Sequence, residues 1–272
     1  MTAEGDDHPA RNEFRGFTLV ELLTVLGLVT LLVSLLLPVA GKVRAAANAT
    51  ACLSNLRQMG AAWTLYTAES RGRLMHYAWY SPDSQTMAWD LYWPGVLDAR
   101  QVRGSTLLCP AASEPSDNES IGGYGNATRA WTGRFASAGT VVRFDETTYR
   151  DSSYGYNRYL TAGGGFVPDL NASTLSAARS ISDLPVFLDC AAPDVRPLNG
   201  SEKSPPELPP NLSGNQITLY TPDHWKFLLA RHGRGVNVFM ADGSARWTRL
   251  EDMYSLSWRS DWVRYRLKLP AR

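Results

Sequence analysis

The side chains best able to bind a metal or move a proton lie late in the chain. His224 stands beside Asp223, and nine residues separate His232 from Asp242. Two imidazoles and a carboxylate are sufficient to hold a transition metal. A structural role explains the same residues, because Asp242 followed by Gly243 is a pair that hairpin turns favour, and a histidine before a strand can bond to a loop carbonyl. We therefore predict structural roles for His232, Asp242 and Gly243, with no metal, cofactor or catalytic residue.

Motifs of the common enzyme classes do not occur in the sequence. It contains no Gly-x-Ser-x-Gly elbow, no His-Glu-x-x-His zinc motif and no glycine-rich phosphate or dinucleotide loop. The formal net charge of +1 gives no electrostatic reason to expect nucleic acid as a partner. The composition and motifs therefore favour a protein that is not an enzyme.

Three cysteines follow the apolar N-terminal stretch, at Cys52, Cys109 and Cys190. Their spacings match no zinc or redox motif. Cys52 and Cys109 are one pair that could form a disulfide, with Cys52 on a predicted helix and Cys109 after a predicted strand. The odd number of cysteines leaves other pairings open.

A long apolar stretch near the N-terminus contains one carboxylate. Residues 22–41 carry no charge, and this length is sufficient for a helix that spans a membrane. Glu21 lies only a turn inside the apolar segment that begins at Phe17. A carboxylate inside such a helix costs up to about 3 kcal/mol and by default indicates a functional residue with a partner.

The residues around Glu21 resemble the processing site of type IV pilins and pseudopilins. Residues 15–21 read RGFTLVE, and in that family a prepilin peptidase cuts after the glycine on the cytoplasmic side and methylates the new N-terminal residue. The resemblance implies cleavage between Gly16 and Phe17 and N-methylation of Phe17. It also implies that Glu21 neutralises the terminal amine of a neighbouring subunit, and that Pro38 is a helix-bending proline.

Three later stretches resemble a group of pilin-like proteins of planctomycete and verrucomicrobial type. Residues 52–60 (CLSNLRQMG) are similar to a stretch that follows the anchor in that group, and SYGYN at 153–157 is frequent in it. His232, nine residues and then Asp242-Gly243 resemble the signature that closes the same subfamily. The resemblance implies a long N-terminal helix packed on an antiparallel β-sheet domain.

The hydrophobic pattern divides the chain into four segments and predicts the α+β class. Residues 1–16 are the predicted leader, 17–40 the transmembrane helix, 41–70 its amphipathic continuation and 71–272 a β-rich globular domain. Within that domain we predict a buried strand over 184–190, an exposed loop over 191–214, a hairpin over 231–247 and an edge strand over 262–269. The predicted packing anchors are Trp79, Trp89, Tyr92 and Trp93.

These features predict a structural subunit with one pass through the inner (cytoplasmic) membrane and a globular domain on the extracytoplasmic side. Its expected partners are prepilin peptidase, membrane lipid and other pilin-like subunits of a type IV pilus or a type II secretion pseudopilus. Two alternatives are a membrane-anchored binding module that does not polymerise and a secreted enzyme. The secreted enzyme requires a signal peptide, for which the alanines at 45–47 offer a cleavage site.

Overall fold

In the computed structural model the chain forms a long N-terminal helix and a domain built around a mixed β-sheet, in agreement with the α+β class. The structure describes residues 18–75, 92–115, 123–132, 134–137, 140–143, 151–161, 180–198, 204–218 and 220–269. The predicted leader, Phe17, Trp79 and Trp89 lie outside those residues. Contacts divide the chain into two units, Met1–Arg44 and Ala45–Arg272.

Helix α1 extends over Leu19–Glu69 and includes Pro38. Every side chain from residue 18 to residue 47 is exposed. The hydroxyls of Thr30 and Ser34 donate to carbonyl oxygens three residues earlier, at 2.9 and 2.7 Å, so these polar groups are satisfied inside the helix. Among the described residues, α1 is the helix long and apolar enough to span a membrane.

Between Cys52 and Thr67, one face of α1 is buried in the β domain. Gly60 lies directly against the strand that contains Phe239, because a Cβ atom added to Gly60 would lie 2.1 Å from the phenyl ring. One turn further on, Trp63 packs edge-on against the same ring, with ring centroids 6.4 Å apart. The sequence predicts an apolar stripe on this helix at Leu53, Leu56, Met59, Gly60, Trp63, Tyr66 and Thr67. The stripe lies on the packing face, whose buried residues are Cys52, Leu56, Met59, Gly60, Ala62, Trp63 and Thr67.

The main sheet has five strands, which are β5 (Tyr154–Asn157), β6 (Pro185–Asp189), β7 (Asp194–Val195), β8 (Gly235–Met240) and β9 (Ala245–Arg249). Their order across the sheet is β7-β5-β6-β8-β9. Two small sheets pair β1 (Glu114–Pro115) with β2 (Arg129–Ala130) and β3 (Arg134–Ser137) with β4 (Thr140–Arg143). A short helix, α2, covers Trp93–Asp98.

The prediction of a purely antiparallel sheet is wrong at one edge. β7 pairs with β5 in parallel, so the sheet is mixed. Gly155 on β5 makes this return possible, because a Cβ atom there would lie 2.6 Å from the carbonyl oxygen of Ala192. The prediction of an exposed loop over 191–214 is wrong at its start, residues 191–195, where Ala191 and Ala192 are buried.

The alternating pattern of the C-terminal segment 262–269 predicts an edge strand, but the segment forms no strand. The alternation of buried and exposed side chains is present, and Tyr265 and Leu267 are buried. Their N–H groups, however, donate to the carbonyls of Tyr254 and Glu251, at 3.2 and 2.8 Å. These acceptors belong to a 3-10 helix after β9, so the segment packs beside the sheet without extending it.

Of the predicted packing anchors within the described residues, Tyr92 and Trp93 are both buried. The Trp93 ring lies 5.4 Å from that of Phe187 and 6.1 Å from that of Trp131, between centroids. Its indole N–H donates to the Pro193 carbonyl at 2.7 Å. Helix α2 is thereby fixed to the sheet at the edge where β7 joins it.

Candidate functional site

Four side chains that can donate electron pairs to a metal meet in the interior of the unit Ala45–Arg272. Cys52 lies on the buried face of α1, and Cys109 follows a short 3-10 helix. Asp189 is the last residue of β6, and His232 lies just before β8. The cysteines and the aspartate are fully buried, and the His232 side chain is 3% exposed. We call these four residues the buried cluster.

Cys52 and Cys109 are joined in a disulfide. The S–S distance is 1.97 Å, the Cα atoms are 4.8 Å apart, and the two residues are separated by 57 positions in the sequence. The bond connects α1 to the segment that follows α2. This is the pair that the sequence offered as one of its alternatives.

Cys190 is the one free cysteine among the described residues, and it is buried. Burial raises the pKa of the Cys190 thiol to about 12. The thiolate is the reactive form of cysteine, so Cys190 is expected to be inert near neutral pH.

His232 contacts both the disulfide and Asp189. Its Nε2 atom lies 3.4 Å from Sγ of Cys109 and 3.3 Å from Oδ2 of Asp189. Both polar backbone groups of His232 are hydrogen-bonded. Its N–H donates to the Gly235 carbonyl at 3.3 Å, and its carbonyl accepts the indole N–H of Trp247 at 3.1 Å. The imidazole is therefore positioned by the hairpin β8–β9 that follows it.

Asp189 is a buried carboxylate with one satisfied oxygen. Oδ2 accepts the backbone N–H of Asn237 at 2.7 Å, whereas Oδ1 has no hydrogen-bond partner among the described residues. Nη1 of Arg231, which is also fully buried, lies 3.7 Å from Oδ1. Because an unpaired buried charge costs several kcal/mol, this guanidinium is the group that makes a buried carboxylate tolerable here.

Arg231 is held in place by backbone carbonyls from several parts of the domain. Its guanidinium donates to the carbonyl oxygens of Asn126 at 2.7 Å and of Ala127 and Cys190 at 3.3 Å each, and it also donates to that of Ser153. The positive charge beside the buried cluster is therefore fixed by the fold.

The structure does not bring His232 and Asp242 together. They lie beyond opposite ends of β8, whose six residues span about 20 Å at 3.3 Å per residue. Asp242 is exposed in the turn to β9, where it accepts the Ser244 N–H at 2.9 Å, and Gly243 has a φ of 90°. Asp242 and Gly243 thus form the predicted hairpin turn. The expectation that His232 bonds to a loop carbonyl is wrong for its ring, which faces Cys109 and Asp189.

His224 and Asp223 also have partners other than a shared metal. The His224 ring nitrogen Nε2 bonds to the Glu207 carbonyl, and burial lowers the pKa of His224 from its ordinary value. Asp223 accepts from the Lys226 ammonium at 2.6 Å and from the Arg196 N–H at 3.0 Å. These residues stabilise the 3-10 helix Asp223–Lys226 and are not part of the buried cluster.

Glu21 caps the start of α1. Its carboxylate accepts the backbone N–H of Thr18 at 2.9 Å and the Thr18 hydroxyl at 2.7 Å, while the Glu21 N–H donates to the Thr18 hydroxyl oxygen at 3.3 Å. This reciprocal arrangement is a capping box, which stabilises a helix N-terminus. The side chain of Glu21 is exposed and therefore accessible to a partner.

Sequence reasoning missed Asp189 and Arg231 as members of the site. The available signal was Asp189 itself, a carboxylate inside the apolar run 184–190 that the sequence analysis predicted to be a buried strand. A charged residue at such a position needs a buried partner. The partner, however, comes from a distant segment, and only the fold shows which one.

No protein-family profile matches this chain, and no curated protein or solved structure is significantly similar to it.

Proposed function

We propose that this chain is a pilin-like structural subunit. It is cleaved by prepilin peptidase between Gly16 and Phe17, held in the cytoplasmic membrane by the apolar part of α1, and assembled with other pilin-like subunits into a type IV pilus or a type II secretion pseudopilus. The observation that carries the proposal is the uncovered apolar part of α1 with Glu21 in its first turn.

The position of Glu21 supports assembly in preference to simple anchoring. Between residues 18 and 41 it is the one charged side chain, so that stretch contains no cation to neutralise it. A carboxylate in low dielectric attracts an ammonium group strongly. The N-terminal amine of a cleaved neighbouring subunit is a cation that would reach this depth, which gives each desolvated charge a partner.

The disulfide supports an extracytoplasmic position for the β domain. Disulfides persist in oxidising compartments and are rare in the cytosol. Cys52 and Cys109 are both buried in the bonded form, as expected for a structural disulfide. A membrane anchor followed by a disulfide-bonded domain fits a protein that is inserted with its C-terminal part outside the cytoplasm.

The processing step is tested by the N-terminal residue and the mass of the protein recovered from the membrane fraction. We expect a chain that begins at methylated Phe17. A chain that retains Met1 would indicate a plain anchor. A chain that begins after residue 40 would indicate secretion and would contradict the proposal.

The assembly step is tested by Glu21→Gln. Glutamine also fits the capping box, so this change retains the helix cap and removes the charge. We expect Glu21→Gln to remain in the membrane fraction, and to be lost from filaments sheared off cells and from crosslinked oligomers. Thr18→Ala is the matched control, because it removes the hydroxyl of the cap and retains the carboxylate, and it should assemble. Normal assembly of Glu21→Gln would contradict a role for the carboxylate in assembly. Absence of the unmodified chain from filaments and crosslinked oligomers would favour the anchored module that does not polymerise.

A further inference from the structure

We propose that the buried cluster is a metal site in the chain whose cysteines are still thiols, and that it takes one divalent ion of the zinc class. The disulfide and the metal are then alternative occupants of the same position. The ligand atoms are Sγ of Cys52, Sγ of Cys109, Nε2 of His232 and a carboxylate oxygen of Asp189, all within 4.8 Å of one another. This inference goes beyond the proposed assembly function and does not depend on it.

Two of the ligand separations already have the values that a tetrahedral zinc site requires. With Zn–S near 2.3 Å and Zn–N and Zn–O near 2.0–2.1 Å, tetrahedral geometry places nitrogen and sulfur about 3.6 Å apart and nitrogen and oxygen about 3.3 Å apart. The observed distances from His232 Nε2 are 3.4 Å to Cys109 Sγ and 3.3 Å to Asp189 Oδ2. His232 therefore has the spacing to its neighbours that one corner of such a site requires.

The other ligand separations must change when the ion binds. The two sulfur atoms are bonded to each other in the disulfide and would be about 3.8 Å apart as two zinc ligands, and the longest separation, within 4.8 Å, would close to about 3.3–3.8 Å. In the thiol form no covalent bond holds the sulfurs together, and rotation of the two cysteine side chains separates them. The backbone of the other two ligands is fixed by β6 and by the hairpin β8–β9.

The charges of the site balance when a divalent ion is present. Two thiolates and the Asp189 carboxylate carry −3, and Arg231 beside them carries +1. A divalent cation brings the sum to zero, with His232 neutral as a metal ligand must be. A neutral sum is what a fully buried group of charges requires.

The chemistry of the donor set selects the kind of ion. Two thiolates and an imidazole favour zinc and similar ions over magnesium and calcium, which prefer oxygen ligands. Binding displaces two thiol protons, which are released to solvent, and involves no electron transfer, so no reductant is needed for a newly synthesised chain. Thiol–disulfide exchange is a poorer interpretation of the cluster, because both sulfurs are fully buried and exchange requires access to a sulfur.

The test uses the full chain in detergent, with the disulfide first reduced by a phosphine that is then removed without air. Cobalt(II) serves as the spectroscopic probe and zinc displaces it. We expect one equivalent of cobalt per chain, with the intense visible absorption of a tetrahedral ion and a thiolate charge-transfer band. The oxidised chain should show neither signal.

Variants separate the site from adventitious binding. Replacing a positioning group around a metal costs about 10–100-fold in affinity, so His232→Ala, which removes a ligand, should weaken cobalt binding by at least about tenfold. Cys190→Ser and His224→Ala are matched controls outside the cluster and should bind as the unmodified chain does. Equal binding by His232→Ala and His224→Ala would overturn the proposal.

Folding is measured in the same samples by tryptophan fluorescence. If the reduced chain is folded, zinc should raise the midpoint of its thermal unfolding and leave that of the oxidised chain unchanged. If the reduced chain is unfolded, zinc should restore the native fluorescence, since metal binding and folding are coupled at such sites. A reduced chain that neither gives the tetrahedral cobalt spectrum nor responds to zinc would contradict the proposal.

Discussion

Gly60 on α1 and Phe239 on β8 are so close that the phenyl ring occupies the position of a side chain at residue 60. An added Cβ atom would lie 2.1 Å from the nearest ring carbon. The ring has little freedom to move, since Phe239 is buried and packs edge-on against Trp63. This contact sets how closely the helix approaches the sheet.

We predict that Gly60→Ala destabilises the β domain although alanine is the better helix former. The helix gains about 1 kcal/mol from the exchange, whereas overpacking a core costs about 1–3 kcal/mol. Because the overlap is severe, the cost should exceed the gain. Urea unfolding of the chain in detergent measures the difference. In a Phe239→Leu background the loss caused by Gly60→Ala should shrink, and an equal loss in both backgrounds would contradict a direct contact.

The disulfide should contribute much of the stability of the β domain. Its two cysteines are 57 positions apart, and the chain-entropy model assigns about 4 kcal/mol to a loop of that size. We therefore expect the double variant Cys52→Ala, Cys109→Ala to lose about that amount in urea unfolding under oxidising conditions. Under reducing conditions with a chelator present, the unmodified chain and the double variant should unfold at similar urea concentrations. A similar stability of the two proteins under oxidising conditions would exclude this role.

The charge on Asp189 should contribute more to the stability of the β domain than the charge of a surface carboxylate does. Asp189→Asn retains an oxygen that can accept from Asn237 but leaves Arg231 buried without its counter-charge. Breaking a buried pair in this way costs about 3–5 kcal/mol. Denaturant unfolding of the oxidised chain measures the loss.

Asp183→Asn is the matched control for that experiment. Asp183 accepts from Arg246 at 3.1 Å and from Arg264 at 3.0 Å, and its side chain is 33% exposed. Pairs of this kind contribute about 0–1 kcal/mol each. If the two variants lose the same stability, the buried pair of Asp189 and Arg231 contributes no more to stability than an exposed pair does.

The parts of the fold that the sequence predicts are those encoded by neighbouring residues. The apolar stripe predicts the buried face of α1, and Asp242-Gly243 predicts the turn between β8 and β9. The parallel edge strand β7 was not predicted, because it depends on the absence of a side chain at Gly155 in another strand. Patterns of period 2 and 3.6 report which face is buried but not which backbone groups pair across a distance.

The buried cluster could not be predicted from local sequence patterns either. Sequence proximity suggested His232 with Asp242, but a strand of six residues separates them. The residues that His232 contacts, Cys109 and Asp189, are distant in the sequence. Their meeting is a consequence of strand order, in which β6 pairs with β8, and this order is not encoded in any local motif.

The stability of the domain should fall on acidification through the histidine range because of His224. Burial lowers the pKa of His224 below its ordinary value of 6.5, although the Glu207 carbonyl and the charge of Asp223 act in the opposite direction. The unfolded chain therefore binds a proton near pH 6.5 while the folded chain does not, so the contribution of neutral His224 is complete above about pH 6.5 and is lost as the pH falls towards the folded pKa. We expect urea unfolding to show a loss of stability as the pH falls below about 6.5, and His224→Gln to remove part of it, because glutamine does not titrate. An unchanged pH profile in His224→Gln would assign the loss to other groups.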